Sequence, residues 1–271
     1  SWLSFIKKNP KSILFCFRGG KRSEVAKLWL SEYGVNIPIV KGGYKSLRNT
    51  CIELLDLAPN QGKKWIIIGG FTGSNKTNLI KNNKKAINLE MIANHRGSAF
   101  GSYATPQPSQ INFENNLAFS YLNHISDILL LEDESKTIGK NYLPKGWYEK
   151  MQSSALIIIR APMKERINNI YNEYVKIPIT QKKDSAVLCL SLTSSLNKIK
   201  KRIGGKLHDE IQKNIKEAFT KNEKTLHEKW IKKILTNYYD PMYEYQLNRR
   251  KDQVSFEGCY DEVIKYIDIN F

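Results

Sequence analysis

One cysteine lies in a loop whose composition favours the thiolate, the form in which a thiol acts as a nucleophile. The chain from Cys16 to Ser23 reads CFRGGKRS and follows a short apolar stretch. Arg18, Lys21 and Arg22 supply positive charge, and the glycines let backbone amides turn towards the sulfur. Ser23 is predicted to cap a helix, whose N-terminal dipole favours negative charge. We therefore predict a reactive cysteine; a buried cysteine beside a solvated basic turn is the alternative.

The other three cysteines are predicted to be structural. Cys51, Cys189 and Cys259 lie far apart in apolar patterns, and the sequence contains no C-x-x-C pair. Neither a disulfide framework nor a zinc site is indicated by this spacing. Such cysteine usage fits a reducing cytoplasm, where we expect the protein to act.

A second chemical motif is a glycine-rich loop that begins at Gly70 and reads GFTGSNKT. It matches the phosphate-binding pattern G-x-x-x-x-G-K-[ST], except that Asn75 replaces the second glycine. Backbone amides in such a turn converge on phosphate oxygens, while the lysine adds charge and the threonine a hydroxyl for Mg²⁺. Asn tolerates a left-handed backbone better than other non-glycine residues. The predicted phosphate-binding residues are Gly70, Gly73, Ser74, Asn75, Lys76 and Thr77; a plain glycine turn is the alternative.

Three consecutive acids follow the apolar stretch 128–131. A carboxylate at the end of a strand next to a phosphate-binding loop commonly serves a bound metal ion. Glu132 and Asp133 are the predicted groups on the metal side, with Glu134 as a further site acid. An acidic turn without a ligand is the alternative. We expect no tightly bound cofactor, and Mg²⁺ is the ion that these oxygens suit.

The elements that position these motifs are those of an α/β protein with a mostly parallel sheet. The order strand, glycine-rich loop, helix is the context in which phosphate binding is credible. A linker at residues 59–62 separates a unit at 1–57 from a larger one at 63–271. The segment 93–110 is rich in Gly, Ser, Pro and Gln, which predicts a long functional loop or a poorly ordered one. Strands are predicted at 12–15, 37–40, 65–68, 87–89, 128–131, 155–159 and 254–256, and helices from Ser23, at 44–55, after Thr77, beyond Arg160 and at 263–269.

The charge balance favours a polyanionic partner. The 271 residues include 43 Lys or Arg against 26 Asp or Glu, a formal net charge of +17. Nucleic acid or phosphorylated substrates fit such a charge. Twelve Lys or Arg against five Asp or Glu fall within 196–233, so a basic helical lobe is predicted at about 196–250. No apolar run reaches the length of a membrane span, which excludes membrane insertion.

The cysteine loop resembles the active-site loop of rhodanese domains. Gly42-Gly43-Tyr44, after the next predicted strand, resembles the glycine-aromatic turn that follows that loop. Rhodanese domains carry sulfur as a persulfide on the cysteine that Cys16 matches. The resemblance covers only the C-terminal part of such a domain. We therefore expect residues 1–57 to be a partial rhodanese-like domain in an N-terminally truncated chain, followed by a P-loop NTPase-like α/β domain with a basic helical C-terminal lobe.

Longer motifs narrow the interpretation further. They are NLEMIANHRGSAFG at 88–101, QPSQ at 107–110, FEN at 113–115, EDES at 132–135 with IG at 138–139, and YYDPMYEYQL at 238–247. In this order they resemble the motifs of the tRNA 2-selenouridine synthase family. The resemblance runs from about Ile13 to the C-terminus.

The resemblance implies a tRNA-modifying transferase with two chemical steps. Wobble 2-thiouridine is first alkylated on sulfur by geranyl diphosphate, and the S-geranyl group is then replaced by selenium from selenophosphate. Cys16 carries the selenium as a selenylsulfide, with Arg18, Arg22 and Ser23 at its site, and the glycine-rich loop holds the diphosphate. Asn75 and the partial first domain are departures from the family pattern. The expected partners are tRNA, selenophosphate and geranyl diphosphate, and we expect a monomer.

Further residues are assigned to substrate or tRNA contacts on the same resemblance. A hydrogen-bonded structural histidine, core tyrosines and a solvated charged face are the alternatives for these residue types. The predicted contacts are His95, Arg96, Lys200, Lys201, Arg202, Tyr239 and Asp240.

Two other functions fit the motifs without the family resemblance. One is a P-loop kinase or NTPase fused to a rhodanese-type sulfurtransferase, which predicts nucleotide turnover that depends on Lys76. The other is a non-catalytic tRNA-binding fragment, for which changing Cys16 has no chemical consequence.

Overall fold

The structure, a computed structural model, describes residues 1–271 and contains a parallel four-stranded sheet between two layers of helices, followed by a helical lobe. The sheet order is β2-β1-β5-β6, and each neighbouring pair is parallel. A short antiparallel pair, β3-β4, lies apart from it. The strands are β1 (Lys64–Gly70), β2 (Ile128–Glu132), β3 (Thr137–Ile138), β4 (Asn141–Tyr142), β5 (Ala155–Ile159) and β6 (Val254–Gly258).

Fifteen helices surround and extend the sheet. Two π-helical turns, at Asn172–Lys176 and Leu235–Tyr239, interrupt the helical lobe. The helices are α1 (Trp2–Lys8), α2 (Lys21–Glu32), α3 (Gly43–Leu57), α4 (Lys76–Asn82), α5 (Leu89–Ala93), α6 (Gln110–Leu122), α7 (Lys145–Ser153), α8 (Met163–Tyr171), α9 (Ile177–Thr180), α10 (Ser185–Lys198), α11 (Lys200–Ile203), α12 (Gly205–Lys221), α13 (Lys224–Ile234), α14 (Asp240–Asn248) and α15 (Tyr260–Asn270).

The inner strands are buried on both faces, as their continuous apolar sequence predicts. Ile67 faces one layer, where it packs in a cluster with Phe113 and Trp147. Ile66 faces the other layer, in a cluster with Ile80 and Val263. The predicted strands at 65–68, 128–131, 155–159 and 254–256 and the predicted last helix are confirmed. The predicted α/β class with a parallel sheet is therefore confirmed.

Three predicted strands are wrong or reduced to a single bridge. In the predicted strand 87–89, Asn88 instead caps α5, because its side chain accepts a hydrogen bond from Met91 N at 2.7 Å. Next to this segment, one isolated parallel β-bridge joins Ala86 to Leu130 of β2. The predicted strands 12–15 and 37–40 meet only at one parallel bridge, Leu14–Ile39.

Helix α3 joins the N-terminal residues to the core of the sheet domain. Trp147 Nε1 donates to the carbonyl of Leu55 at 2.9 Å, and the Tyr121 hydroxyl donates to the carbonyl of Ala58 at 3.3 Å. Arg48 forms an ion pair with Glu114 of α6. The predicted linker at 59–62 forms a tight turn, in which Ala58 and Pro59 are buried. No open linker therefore separates α3 from the sheet.

The C-terminal lobe has its own apolar core. Helices α10, α12 and α13 pack on one another and on α8, around residues such as Leu196, Ile215 and Trp230. The basic side chains of 196–233 lie mainly on the exposed faces of these helices. No helix of the protein is both long enough and apolar enough to cross a membrane.

Candidate active site

The cysteine loop contacts the start of α2, but the predicted capping residue is wrong. Helix α2 begins at Lys21 with Gly20 as its N-cap, so Ser23 lies inside the first turn. Its hydroxyl is 3.4 Å from Cys16 Sγ and 2.9 Å from the carbonyl of Gly20. The Ser23 hydroxyl, followed by the backbone amides of Arg18, Gly20 and Ser23, lowers the pKa of Cys16 to about 6. The side chains of Arg18 and Arg22 are exposed.

The start of α3 closes the other side of the cysteine loop. Tyr44 N donates to the carbonyl of Cys16 at 2.9 Å, and Lys45 N donates to the carbonyl of Phe17 at 3.0 Å. A side chain at Gly19 would place its Cβ 2.6 Å from the amide nitrogen of Gly42, so only glycine fits there. The loop is thus held between two helix starts, and its reactive sulfur is half-buried.

The glycine-rich loop lies between β1 and α4, as predicted. Gly73 has φ +85 and Asn75 has φ +70, so the asparagine adopts the left-handed conformation that its side chain tolerates. Lys76 Nζ donates to the carbonyl of Gly70 at 2.5 Å, inside the curve of the loop. Asn75 therefore keeps the left-handed backbone that the second glycine would otherwise supply.

Two side chains of α8 support the outer side of this loop. Arg166 Nε donates to the carbonyl of Thr72 at 2.9 Å, and Asn169 Nδ2 donates to the carbonyl of Gly73 at the same distance. The remaining nitrogens of Arg166 bind Asp240, with the shorter contact at 2.5 Å. Asp240 was predicted as a substrate or tRNA contact. It instead pairs with a buried arginine and does not line the cleft.

A cleft of about 1120 Å³ lies between the glycine-rich loop, the loop after α5 and the helical lobe. It brings together most of the predicted site residues from distant parts of the chain, and the segment 93–110 forms one of its walls. Predicted residues that line the cleft are Gly70, Gly73, Ser74, Asn75, Lys76, Thr77, His95, Arg96, Asp133, Glu134, Arg202 and Tyr239.

The remaining predicted residues lie elsewhere. Lys200 and Lys201 are exposed on α11 and do not line the cleft. Cys16, Arg18, Arg22 and Ser23 form the separate site at the start of α2. The structure therefore contains two candidate sites rather than one.

The three predicted acids have three different surroundings. Asp133 pairs with the buried Arg250 at 2.6 Å. Glu132 is 1% exposed, and neither of its carboxylate oxygens has a hydrogen-bond partner. Burial, together with repulsion from Glu90, raises the pKa of Glu132 to about 8. Burial also raises the pKa of Glu134 well above its ordinary value.

Glu90 lies in the motif at 88–101 but was not predicted as a site residue. It is buried, lines the cleft and accepts a hydrogen bond from the Thr77 hydroxyl at 2.9 Å. The structure groups no three His, Cys, Asp or Glu side chains at the spacing of a metal site. Asp133 is paired with Arg250 and Thr77 with Glu90, and Mg²⁺ at this loop stays a prediction.

His95 and Arg96 lie in the loop after α5, where His95 N donates to the carbonyl of Glu90 at 3.0 Å. His95 is 7% exposed and its Nδ1 has no partner; burial, with the charges of Lys198 and Arg96, lowers its pKa. The Arg96 guanidinium lies 4.3 Å from the ring centre of Tyr103 and 4.7 Å from that of Tyr174. Arg96 is thus held by aromatic stacking, whereas His95 presents a free nitrogen.

A small apolar cavity of about 30 Å³ adjoins the cleft beside the glycine-rich loop. Both π-helical turns contribute to its wall, and π-helical turns often occur at functional sites. Thr72, Tyr174 and Tyr239 line both spaces. The apolar side chains of the cavity are Phe100, Ile170, Trp230, Ile231, Ile234 and Leu235.

The parallel sheet with a glycine-rich loop at the end of its inner strand β1 defines an α/β protein. A family model described as the tRNA 2-selenouridine synthase AAA domain matches residues 63–270. The tRNA 2-selenouridine synthase of Shewanella sediminis is 42% identical over 282 residues, which cover 99% of this chain and 76% of that protein. The proteins of the same name from Shewanella halifaxensis and Shewanella woodyi are 41% and 40% identical, with 99% of this chain and 77% and 76% of theirs covered.

The chain therefore belongs to the tRNA 2-selenouridine synthase family, and the resemblance drawn from its motifs is confirmed. No solved structure matches it.

Proposed function

We propose that this protein is a transferase that converts wobble 2-thiouridine of tRNA into 2-selenouridine through an S-geranyl intermediate. Its relatives are named tRNA 2-selenouridine synthase. In the first step, the sulfur of the base bonds to C1 of geranyl diphosphate, and diphosphate leaves. In the second, selenium from selenophosphate replaces the sulfur, geranylthiol leaves and water accepts the phosphoryl group. Neither step changes the overall oxidation state of the reactants.

The observation that carries this proposal is an anion-binding loop next to an apolar cavity. The amides of the loop and Lys76 suit a diphosphate, and the buried Ser74 hydroxyl has no partner within the protein. Ile231, Ile234 and Leu235 suit the end of a hydrocarbon chain; the cavity of about 30 Å³ is too small for all ten carbons, so the rest of the chain would lie in the adjoining cleft. A nucleoside triphosphate offers no aliphatic chain for such a cavity. The combination therefore favours a prenyl diphosphate over a nucleotide.

The helical lobe supports tRNA as the second substrate. Lys198 and Arg202 line the cleft, and further lysines of α11–α13 extend the positive surface away from it. Contacts of Lys and Arg with phosphates give affinity and orientation without reading the base. A cleft of about 1120 Å³ also has room for a nucleotide beside the diphosphate.

The N-terminal site is assigned to selenium transfer. Residues 1–57 are proposed as the C-terminal part of a rhodanese-like fold, in which Cys16 carries selenium as a selenylsulfide. Forming the S–Se bond passes two electrons to a disulfide, and a dithiol returns them when selenium is released to C2, so the overall exchange stays redox-neutral. The support is a sulfur held between two helix starts and a pKa lowered to about 6 by the Ser23 hydroxyl and backbone amides. A thiolate at neutral pH is the form that binds and transfers such groups.

The first step is tested with the purified protein, geranyl diphosphate and an anticodon stem-loop that contains 2-thiouridine. Mass spectrometry of the digested nucleosides is expected to show S-geranyl-2-thiouridine. ATP is the control substrate. Hydrolysis of ATP that depends on Lys76, without geranylation, would assign the loop to a nucleotide and overturn the proposal.

The cavity is tested by changing its size at Ile234. Ile234→Phe is expected to raise the KM for geranyl diphosphate while inhibition by inorganic diphosphate stays unchanged. Ile234→Ala is expected to let the enzyme accept a prenyl chain one isoprene unit longer. If Ile234→Phe weakened inhibition by inorganic diphosphate as much as it raised the KM for geranyl diphosphate, the hydrocarbon chain would bind elsewhere.

A further inference from the structure

Glu90 lies in the cleft beside the glycine-rich loop but offers no group that binds a diphosphate directly. The Thr77 hydroxyl donates to it at 2.9 Å; burial raises the pKa of Glu90, and Lys76 opposes that rise. Its carboxylate faces the same space as the anion-binding loop. A negative side chain next to a diphosphate opposes binding by charge repulsion, so its presence needs another reason.

An unpartnered polar group close to Glu90 indicates that a polar ligand other than the diphosphate binds there. His95 lines the cleft, is 7% exposed and has an Nδ1 with no hydrogen-bond partner. Buried polar groups are normally hydrogen-bonded, and leaving one unpaired costs about 1–3 kcal/mol. His95 N donates to the carbonyl of Glu90 at 3.0 Å, so a ligand that reaches the imidazole also lies near Glu90.

Alkylation of a 2-thiouridine creates a proton that must be removed. In the starting base the ring nitrogen N3 carries a hydrogen, and C2 carries a doubly bonded sulfur. Once the sulfur is bonded to carbon, the neutral product has a C2–N3 double bond and no hydrogen on N3. A base positioned at N3 therefore assists the step, as general bases do when a proton is lost in the transition state.

We propose that Glu90 is the catalytic base of the alkylation step, an assignment that rests on the proposed function. The sulfur–C1 bond forms as the C1–oxygen bond breaks, and diphosphate leaves with the electron pair. The N3 proton passes to the carboxylate of Glu90. Atoms and charge balance without an oxidant, a reductant or another co-reactant.

Glu90 suits this role better than the other groups near it. Glu132 does not line the cleft, whereas Glu90 does and accepts a hydrogen bond there from Thr77. Burial raises the pKa of Glu90 against the opposing effects of Thr77 and Lys76, and a raised pKa suits a carboxylate that takes up a proton near neutral pH. Burial, with the charges of Lys198 and Arg96, lowers the pKa of His95 and makes it a weaker base. The titratable groups that face Glu90 are Lys76, Arg96, Glu132, Glu134 and Glu173.

The test compares Glu90→Gln with the wild-type protein in single-turnover geranylation. The amide oxygen of Gln still accepts from Thr77, so the fold is expected to remain intact, as checked by thermal unfolding. The rate constant is expected to fall about 100-fold or more, the usual range for a lost general base. The affinity for geranyl diphosphate is expected to stay unchanged or to rise. Glu149→Gln, on the exposed face of α7, is the matched control and should keep the wild-type rate.

A pH profile separates a base from a merely structural carboxylate. In Glu90→Gln the geranylation rate should rise by about tenfold per pH unit, because hydroxide replaces the carboxylate in removing the N3 proton. The rise should end at the pH where 2-thiouridine loses this proton in solution. Glu90→Asp should recover part of the lost rate at neutral pH. A Glu90→Gln rate equal to wild type, or an equal loss at every pH, overturns the role of Glu90. Absence of geranylation in the wild type would instead overturn the proposed function.

Discussion

Arg166 and Asp240 form a buried ion pair on the outer side of the glycine-rich loop, and the same arginine donates to the carbonyl of Thr72. The pair connects α8 to the start of α14, which follows a π-helical turn. The loop conformation therefore depends on residues far away in the sequence.

Arg166→Ala is expected to lower the free energy of unfolding by about 3–5 kcal/mol, because it leaves Asp240 buried without a partner. Urea denaturation measures this change. In the double variant with Asp240→Asn, the two losses should be clearly less than additive. Additive losses would mean that the two side chains stabilise the protein independently.

Asn75 should be replaceable by glycine but not by alanine. Its φ of +70 is open to glycine and costs an ordinary L-residue about 1 kcal/mol or more. Asn75→Gly should keep the affinity for inorganic diphosphate within about threefold, whereas Asn75→Ala should weaken it. Titration calorimetry distinguishes the two; equal binding by both variants would show that the backbone conformation at this position does not limit affinity.

Lys76 is expected to matter for the diphosphate and not for tRNA. Lys76→Ala should weaken diphosphate binding by about 10–100-fold, the value of one charge-assisted hydrogen bond. Binding of tRNA should change little, because the basic surface of α11–α13 is untouched. Lys84→Ala, an exposed lysine outside the cleft, is the control. A comparable loss of tRNA binding in Lys76→Ala would instead place the tRNA at the loop.

Cys16 should react as a thiolate from mildly acidic pH upwards. Its pKa of about 6 lies below the ordinary value of 9.0, so the thiolate is present above pH 6 and lost as the pH falls through that value. The rate of iodoacetamide labelling should follow this midpoint, with Cys16→Ser as the control that removes the signal. Ser23→Ala should move the midpoint to higher pH, because the hydroxyl gives the largest contribution.

Glu132 should make the unliganded protein less stable at higher pH. Its pKa is raised from 4.5 to about 8, so folding takes up a proton between these values and stability falls as the pH rises through them. Glu132→Gln should reduce this dependence, leaving the part that Glu134 contributes, and should be more stable than wild type at pH 8 by at least about 1 kcal/mol. Thermal unfolding at pH 5 and pH 8 measures the difference; parallel losses in both proteins would contradict it.

The conformation of short loops and helix starts was predictable from the sequence where neighbouring residues determine it. The glycine-rich loop follows β1 directly, and Asn75 alone indicated the left-handed backbone that the structure contains. The apolar trio at 87–89 was misleading, because three residues cannot distinguish a strand from a helix start. Asn88 carried the correct signal, that of a helix cap.

Contacts between distant segments were not predictable. The side chains of Thr77, near the start of α4, and Glu90, near the start of α5, meet in a hydrogen bond across an intervening loop. Asp240 looked like a substrate residue because nothing in the sequence identifies Arg166 as its partner 74 positions away. Asp133, which was predicted on the metal side, likewise pairs with a distant arginine, Arg250. Side-chain pairing of this kind depends on the fold and leaves no local pattern.

Helix α3 has a mechanical consequence for any reaction that uses both sites. Its first residues bind the cysteine loop and its last turn is embedded in the sheet domain, so its 15 residues act as a stiff spacer of about 22 Å. A hinge at this point would have to break buried contacts of Leu55 and Ala58. Under the proposed function, the anticodon loop, and not the cysteine, is then the part that moves between the two chemical steps.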